Sequence, residues 1–176
     1  MLQGINIILR PLKLSDWERT IEWRNSLSIK NMAMMHPFPI TELNEKDWYA
    51  GMVGSTDNST VYFTITGKDD KPLGFISLRK INYINRNCHL GIVIGESTDR
   101  GRGYGREAME LILNYAFKTL NLHKVTVEVL CGNDHAIGLY KKLGFVEEGI
   151  LRQQYFCCGE YMDVMLLSAF SSDSGQ

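Results

Sequence analysis

The 176 residues carry 19 Lys and Arg against 20 Asp and Glu, a formal net charge of −1. That balance gives no general attraction to nucleic acid or to an anionic membrane surface, and no apolar run approaches membrane-spanning length. With 44% hydrophobic and 22% charged residues, the composition is that of one globular domain with a sizeable core.

In chain order, Ile5 to Leu12 reads as a first strand. Ser15 and Asp16 can cap a helix running to Asn25, with Glu18 completing a capping box from Ser15. Ser26 to Ile40 reads as irregular but unusually apolar, with Met32, Met34, Met35 and Phe38. Thr41 opens a second helix that closes before Gly54. Val61 to Thr66 is rich in β-branched and aromatic residues, and Leu73 to Ile81 returns as its partner across the turn at Gly67 to Lys71. Cys88 to Ile94 is a further strand, followed by the glycine-rich turn Arg100-Gly101-Arg102-Gly103-Tyr104-Gly105. Beyond it, Ala108, Met109, Leu111, Ile112, Tyr115 and Ala116 recur at helical spacing. Lys124 to Leu130 alternates, with Val125, Val127 and Val129 on one face and Thr126, Glu128 and Leu130 on the other. Asn133 opens a short helix to Lys142, ended by Gly144 in a left-handed C-cap. Phe145 to Tyr155 and Tyr161 to Leu167 form a last hairpin turning near Cys158 and Gly159. Ser168 onward is polar and is expected to fray, which divides the chain into a domain over residues 1–168 and a tail over 169–176. The order β-α-α-β-β-β-α-β-α-β-β predicts a single-domain α/β fold with a mostly antiparallel sheet.

The four cysteines, Cys88, Cys131, Cys157 and Cys158, include no Cys-x-x-Cys pair, and no basic-then-apolar leader precedes them. Reduced thiols in a cytoplasmic protein are therefore expected. His36, His89, His123 and His135 lack metal-ligand spacing, so no metal is expected.

The glycine turn has a chemical use. The first turn of a helix leaves backbone N–H groups without intrahelical partners, and the macrodipole adds partial positive charge there. Glycines admit a phosphate close to the backbone, and neighbouring arginines add charged donors. No Lys-Ser or Lys-Thr follows the turn, which argues against a P-loop, and the glycine spacing fails the dinucleotide fingerprint. Arg100, Gly103 and Gly105 do fit Arg/Gln-x-x-Gly-x-Gly, which resembles the coenzyme A pyrophosphate loop of the GNAT superfamily of acyl-CoA N-acyltransferases.

A second stretch carries the same resemblance. Asn133-Asp134-His135-Ala136-Ile137-Gly138-Leu139-Tyr140-Lys141-Lys142-Leu143-Gly144-Phe145 is similar to the family's Asn-x-x-Ala-x-x-x-Tyr hallmark with its Leu-Gly-Phe turn. Leu9-Arg10-Pro11-Leu12 and Gly144-Phe145-Val146-Glu147-Glu148-Gly149 resemble the branch that acetylates ribosomal-protein N-termini and spermidine. The resemblance implies a mostly antiparallel mixed sheet, flanked by helices, whose central strands splay apart to admit acetyl-CoA. Ile92, Val93 and Ile94 would offer backbone groups to the pantetheine arm. Arg100, Gly101, Arg102, Gly103, Tyr104, Gly105 and Arg106 would hold the pyrophosphate, and Asn133 would bind the coenzyme from the facing helix. Tyr140 would be the general acid for the leaving thiolate and Glu128 the base for the amine.

The acceptor would be a primary amine of a protein N-terminus, a polyamine or an amino-sugar nucleotide, held by Trp23, Arg24, Asn25, Phe38 and Tyr155. Spermidine acetyltransferases carry an acidic pair between the first two helices, where this chain has Met34-Met35-His36-Pro37-Phe38. Trp23-Arg24-Asn25 resembles a triplet of sugar N-acetyltransferases. A homodimer is compatible with the resemblance, and a non-catalytic acyl-CoA-binding module is the alternative of a different class.

Overall fold

Eight strands form one sheet in the order β1-β2-β3-β4-β5-β6-β8-β7. The structure is a computed structural model and describes residues 1–171. The strands are β1 (Leu2–Gln3), β2 (Ile8–Pro11), β3 (Val61–Thr66), β4 (Pro72–Asn82), β5 (Asn87–Ile94), β6 (Lys124–Leu130), β7 (Val146–Cys157) and β8 (Glu160–Phe170). The helices are α1 (Trp17–Asn25), α2 (Leu27–Met32), α3 (Glu42–Val53), α4 (Tyr104–Asn114) and α5 (Asp134–Lys142), and one π turn, Tyr115–Thr119, prolongs α4. Among the described residues the only parallel pair is β5–β6, so the sheet is mixed and mostly antiparallel.

That parallel pair is short. Asn87, Cys88 and His89 oppose Lys124, Val125 and Thr126, and there the ladder stops although the strands continue to Ile94 and Leu130. The far half of β5 therefore keeps β4 on one edge and, among the described residues, has no strand on the other. This is the splay that the resemblance implies.

Strand alternation sorts the two faces. Ile76, Leu78, Leu90, Val125, Val127 and Val129 point to one side, where Ala108, Met109 and Ile112 of α4 pack on them. At about 1.5–3 kcal/mol for each fully buried aliphatic side chain, this contact anchors α4 and the glycine turn before it. On the other side Val93 meets Trp23 of α1 and Ile29 of α2, with Phe75 and Met35 packed beside them. The site lies between that second face and the α1–α3 layer.

Four local expectations are corrected. The strand expected from Ile5 starts at Ile8 as β2, with β1 before it, because Gly4 to Ile7 forms a turn closed by the Gly4 N–H to the Ile7 carbonyl (2.9 Å). The Glu107 carboxylate on α4 holds that turn, accepting from the Asn6 N–H at 2.9 Å and its side-chain amide at 3.0 Å. The Ser15–Glu18 capping box does not form. Asp16 turns inward and accepts two bonds of 2.8 Å from Arg10, one of 2.6 Å from the Thr64 hydroxyl and one of 2.9 Å from the Lys13 N–H. The stretch from Ser26 to Ile40 contains α2, whose buried Lys30 donates to the Phe38 carbonyl at 2.6 Å. Strand β8 continues through Phe170 with Ser168 and Ala169 buried, so these residues are ladder and not a frayed end. The rest of the expected tail, residues 172–176, lies outside the described residues.

Candidate active site

The glycine turn sits at the mouth of the splay. Gly101 and Gly103 have φ of +74° and +86°, and Gly103 is the N-cap of α4 with no side chain bonded to the first turn. A Cβ on Gly103 would meet nothing within 4 Å, so glycine is required there by the backbone and not by crowding. The uncapped N–H groups of the first turn suit a pyrophosphate. The arginines divide their roles. Arg100 donates to the carbonyls of Ile94 (3.2 Å) and Gly95 (2.8 Å), stitching the turn to the end of β5. Arg106 pairs with Glu110 at 2.9 Å. Arg102 is exposed and without a partner among the described residues.

From this turn a cavity of about 910 Å³ runs along the splay and under the α1–α3 layer. Its wall includes Ile92, Val93, Ile94, Arg100, Gly101, Gly103, Gly105, Arg106, Asn133, Tyr140, Glu128 and Arg24. These residues come from five elements, α1, β5, α4, β6 and α5, and the turn before α4, and the fold brings them to one space. Arg102 and Tyr104 flank the turn without lining it.

Tyr140 is set by α5. The Asn133 side-chain oxygen accepts the Ala136 N–H at 3.2 Å and starts the helix, and Gly144 at φ +84° ends it. The Tyr140 ring packs on Phe145 with centroids 5.6 Å apart and is 8% exposed. Burial pushes its phenol pKa up, which keeps it protonated as a donor needs to be. Glu128 projects from β6 on the face opposite the buried valines, and its carboxylate lies 3.8 Å from His89 Nδ1 of β5. Burial lowers the His89 pKa, Lys80, Arg79 and Lys124 reinforce that, and Glu128 opposes it.

His89 was set aside in the sequence because it lacked metal spacing. The signal that finds it is the parallel register: His89 opposes Thr126, one same-face step from Glu128. Arg79, opposite His89 on β4, also lines the cavity and was not singled out.

Of the acceptor residues expected from sequence, only Arg24 reaches the cavity. Its guanidinium bonds the buried Glu45 at 2.7 Å and lies over Trp48, 4.8 Å from the ring centroid. Trp23 is buried against Gly95 and donates from Nε1 to Glu96 at 2.9 Å. Asn25 bonds the Ile40 backbone both ways, at 2.8 and 2.9 Å, holding the loop before α3. Phe38 is 64% exposed beside His36. The Tyr155 hydroxyl reaches the carbonyls of Lys30 and Met35 at 3.4 Å, tying β7 to the end of α2. These four are not among the residues that line the cavity.

The model of the acetyltransferase (GNAT) domain family matches residues 6–146. The chain belongs to the GNAT acetyltransferase family. This GNAT chain is 37% identical over 108 residues to the spermidine N(1)-acetyltransferase of Vibrio cholerae, a match spanning 61% of this chain and 62% of that one. To the spermidine N(1)-acetyltransferase of Escherichia coli K12 it is 28% identical over 169 residues, 94% of this chain and 86% of the relative. It superimposes with a TM-score of 0.88, at 29% identity, on the V. cholerae spermidine N-acetyltransferase solved with CoA and spermine, covering 95% and 96% of the two chains. The enzyme is an acetyl-CoA-dependent N-acetyltransferase with the GNAT fold. Among the described residues no three His, Cys, Asp or Glu side chains could hold a metal ion, and no helix is long and apolar enough to cross a membrane.

Proposed function

We propose that this GNAT enzyme acetylates the primary amine of a small molecule or protein N-terminus by direct attack in a ternary complex, with Glu128 as base and Tyr140 as acid. The observation that carries the reading is the single cavity on which the glycine turn, the unpaired edge of β5, Tyr140 and Glu128 all border. Acetyl-CoA supplies the activated acyl group. The β5 backbone from Ile92 to Ile94 offers the pantetheine amides a strand-like edge, and the first turn of α4 receives the pyrophosphate. Glu128 removes the proton that an alkylammonium carries at neutral pH. Tyr140 gives its proton to the sulfur as the carbon–sulfur bond breaks and the amide forms.

A polyamine acceptor is the second reading, favoured by the likeness to the spermidine acetyltransferases over nearly the whole chain. The test is thiol release from acetyl-CoA with spermidine, N-terminal peptides and amino-sugar nucleotides in turn. Acceleration by one class identifies the acceptor, whereas no release above hydrolysis with any amine means an acyl-CoA-binding module. In the same assay Glu128→Gln should turn over slowly and recover in part as pH rises and supplies free amine. A pH–rate profile that overlays the wild type removes Glu128 from the mechanism.

A further inference from the structure

The acceptor end of the cavity has a floor built by three neighbouring strands. Ser77 and Arg79 of β4 lie opposite Gly91 and His89 of β5, and His89 lies opposite Thr126 of β6, one same-face step from Glu128. Ser77, Arg79, Gly91, His89 and Glu128 all line the cavity. Gly91 makes the arrangement feasible. A Cβ there would stand 3.0 Å from Arg79 Nη2 and 3.5 Å from both Arg79 Cζ and the Ser77 hydroxyl. The absence of a side chain at Gly91 leaves the guanidinium room to lie across β5 without the shift of a few tenths of an ångström that a Cβ would ask of it.

The charge at this end is unbalanced. Arg79 has no ion pair or hydrogen bond among the described residues. Lys80, at φ +52° where the β4–β5 ladder shifts register, also lines the cavity without an ion pair among them. The carboxylate of Glu45 is fully buried behind the wall and already accepts from Arg24 and Thr20, at 2.7 and 3.0 Å. Of the other acidic lining residues, Asp99 precedes the glycine turn and Asp134 opens α5, both at the coenzyme end. Among the described residues that line the cavity, Glu128 is thus the one carboxylate left to receive an ammonium at the acceptor end. A second and third ammonium on the same molecule would meet Arg79 and Lys80.

Resting on the acetyl-transfer reading above, we propose that the acceptor is an amine that also carries an anionic group, a carboxylate or a phosphate ester, bound by Arg79. The guanidinium fork matches either oxyanion in a bidentate pair, with the Ser77 hydroxyl alongside, while Glu128 takes the amine two strands away. The cationic walls then attract the acceptor, where they would repel a polyamine.

The experiment measures kcat/KM by thiol release at saturating acetyl-CoA for n-propylamine, spermidine, glycylglycine and glucosamine 6-phosphate. One of the last two should exceed both n-propylamine and spermidine by at least roughly tenfold, the worth of one good charged hydrogen bond. Which of them does so separates carboxylate from phosphate. That advantage should shrink as salt is raised. In Arg79→Gln the ratio of anionic to neutral acceptor should fall to about one, carried by KM, and Arg79→Lys should restore part of it. Unchanged coenzyme affinity by calorimetry shows that each variant is folded. Spermidine outrunning both anionic amines, or Arg79→Gln leaving the ratio intact, overturns the proposal while acetyl transfer stands. Absence of release from every amine would instead fail the acetyl-transfer reading itself.

Discussion

Gly95→Ala tests how the acceptor wall is held to the coenzyme strand. Gly95 follows the last residue of β5, and a Cβ there would stand 2.0 Å from Trp23 Cε2 and 2.5 Å from its Nε1. Carbon atoms in contact sit about 3.5–4.0 Å apart, so the ring must retreat by about 1.5 Å. Trp23 is 3% exposed, packed against Val93 and Ile29. The retreat also stretches its 2.9 Å bond to Glu96 Oε1, the same carboxylate oxygen that accepts from Arg19 at 2.6 Å. Overpacking costs about 1–3 kcal/mol. A bond to a charged group adds about 1.5–3 kcal/mol, taken at its low end because Glu96 is partly solvated. The sum, about 3–4 kcal/mol, lowers Tm by roughly 6–16 °C in a chain of this size. Because Arg24 is the next residue on α1, KM for the acceptor should rise as well. Removing the ring should remove the clash, so the double variant with Trp23→Ala should be no less stable than Trp23→Ala alone. A Tm shift under about 2 °C for Gly95→Ala, the range of an inert surface change, would refute the reasoning.

Gly103→Asp keeps a residue type that tolerates a left-handed backbone, but its carboxylate would cap the first turn of α4 and occupy the N–H groups meant for the pyrophosphate. Acetyl-CoA affinity by calorimetry should fall at least roughly tenfold, and an unchanged Kd removes the assignment. Tyr140→Phe should leave that Kd nearly intact and lower turnover by about 10²–10⁴-fold; a loss of only a few-fold means that solvent protonates the thiolate. Acid should unfold the chain through Asp16. Burial alone would raise its pKa, but Arg10, the Lys13 N–H and the Thr64 hydroxyl together hold it below the usual carboxylate value. The folded pKa being the lower one, this stability is complete above about pH 4 and is lost as pH falls through the folded value. Asp16→Asn should cost about 3 kcal/mol at neutral pH, since it leaves Arg10 buried with only Asp70 beside it, and should flatten the acid limb of a denaturant-stability curve; a limb parallel to the wild type's sinks the assignment.

What was legible in the sequence was local. Strands β3 and β6 sit where β-branched runs and strict alternation put them, because those signals need nothing beyond seven residues of context. Helices α3 and α5 start at Thr41 and Asn133, whose side chains accept from Asn44 and Ala136 three residues on. What was not legible depends on distant partners. Helix α2 is tied by Lys30 to the Phe38 carbonyl and by Tyr155, from the far end of the chain, to Lys30. Ser15 and Glu18 carried the right letters for a capping box, yet Asp16 between them had a better set of donors in Arg10 and Thr64.

The site divides in the same way, and the division explains which of the expected residues line the cavity and which do not. The glycine turn, Asn133 and Tyr140 belong to helix starts and helix faces, so each is legible in consecutive residues, and the family resemblance implied that they meet at one cavity. Trp23, Asn25, Phe38 and Tyr155 were chosen as acceptor contacts because aromatic and amide side chains near a cleft suit binding. Each is instead committed to a neighbour or turned to solvent: an indole on Gly95, an amide on Ile40, a ring beside His36, a hydroxyl on α2. Arg79 and His89 carried no motif at all. Their meaning comes from two registers, Arg79 opposite His89 and His89 opposite Thr126, and a shift of one residue in either would send a charge to the hydrophobic face under α4. The coenzyme half of the site is thus written in consecutive residues. The acceptor half is written in cross-strand pairs, so acceptor specificity can change by single substitutions on β4 and β5 while both family hallmarks stay intact. Likeness to spermidine acetyltransferases over the chain as a whole therefore bears on the donor far more than on the amine.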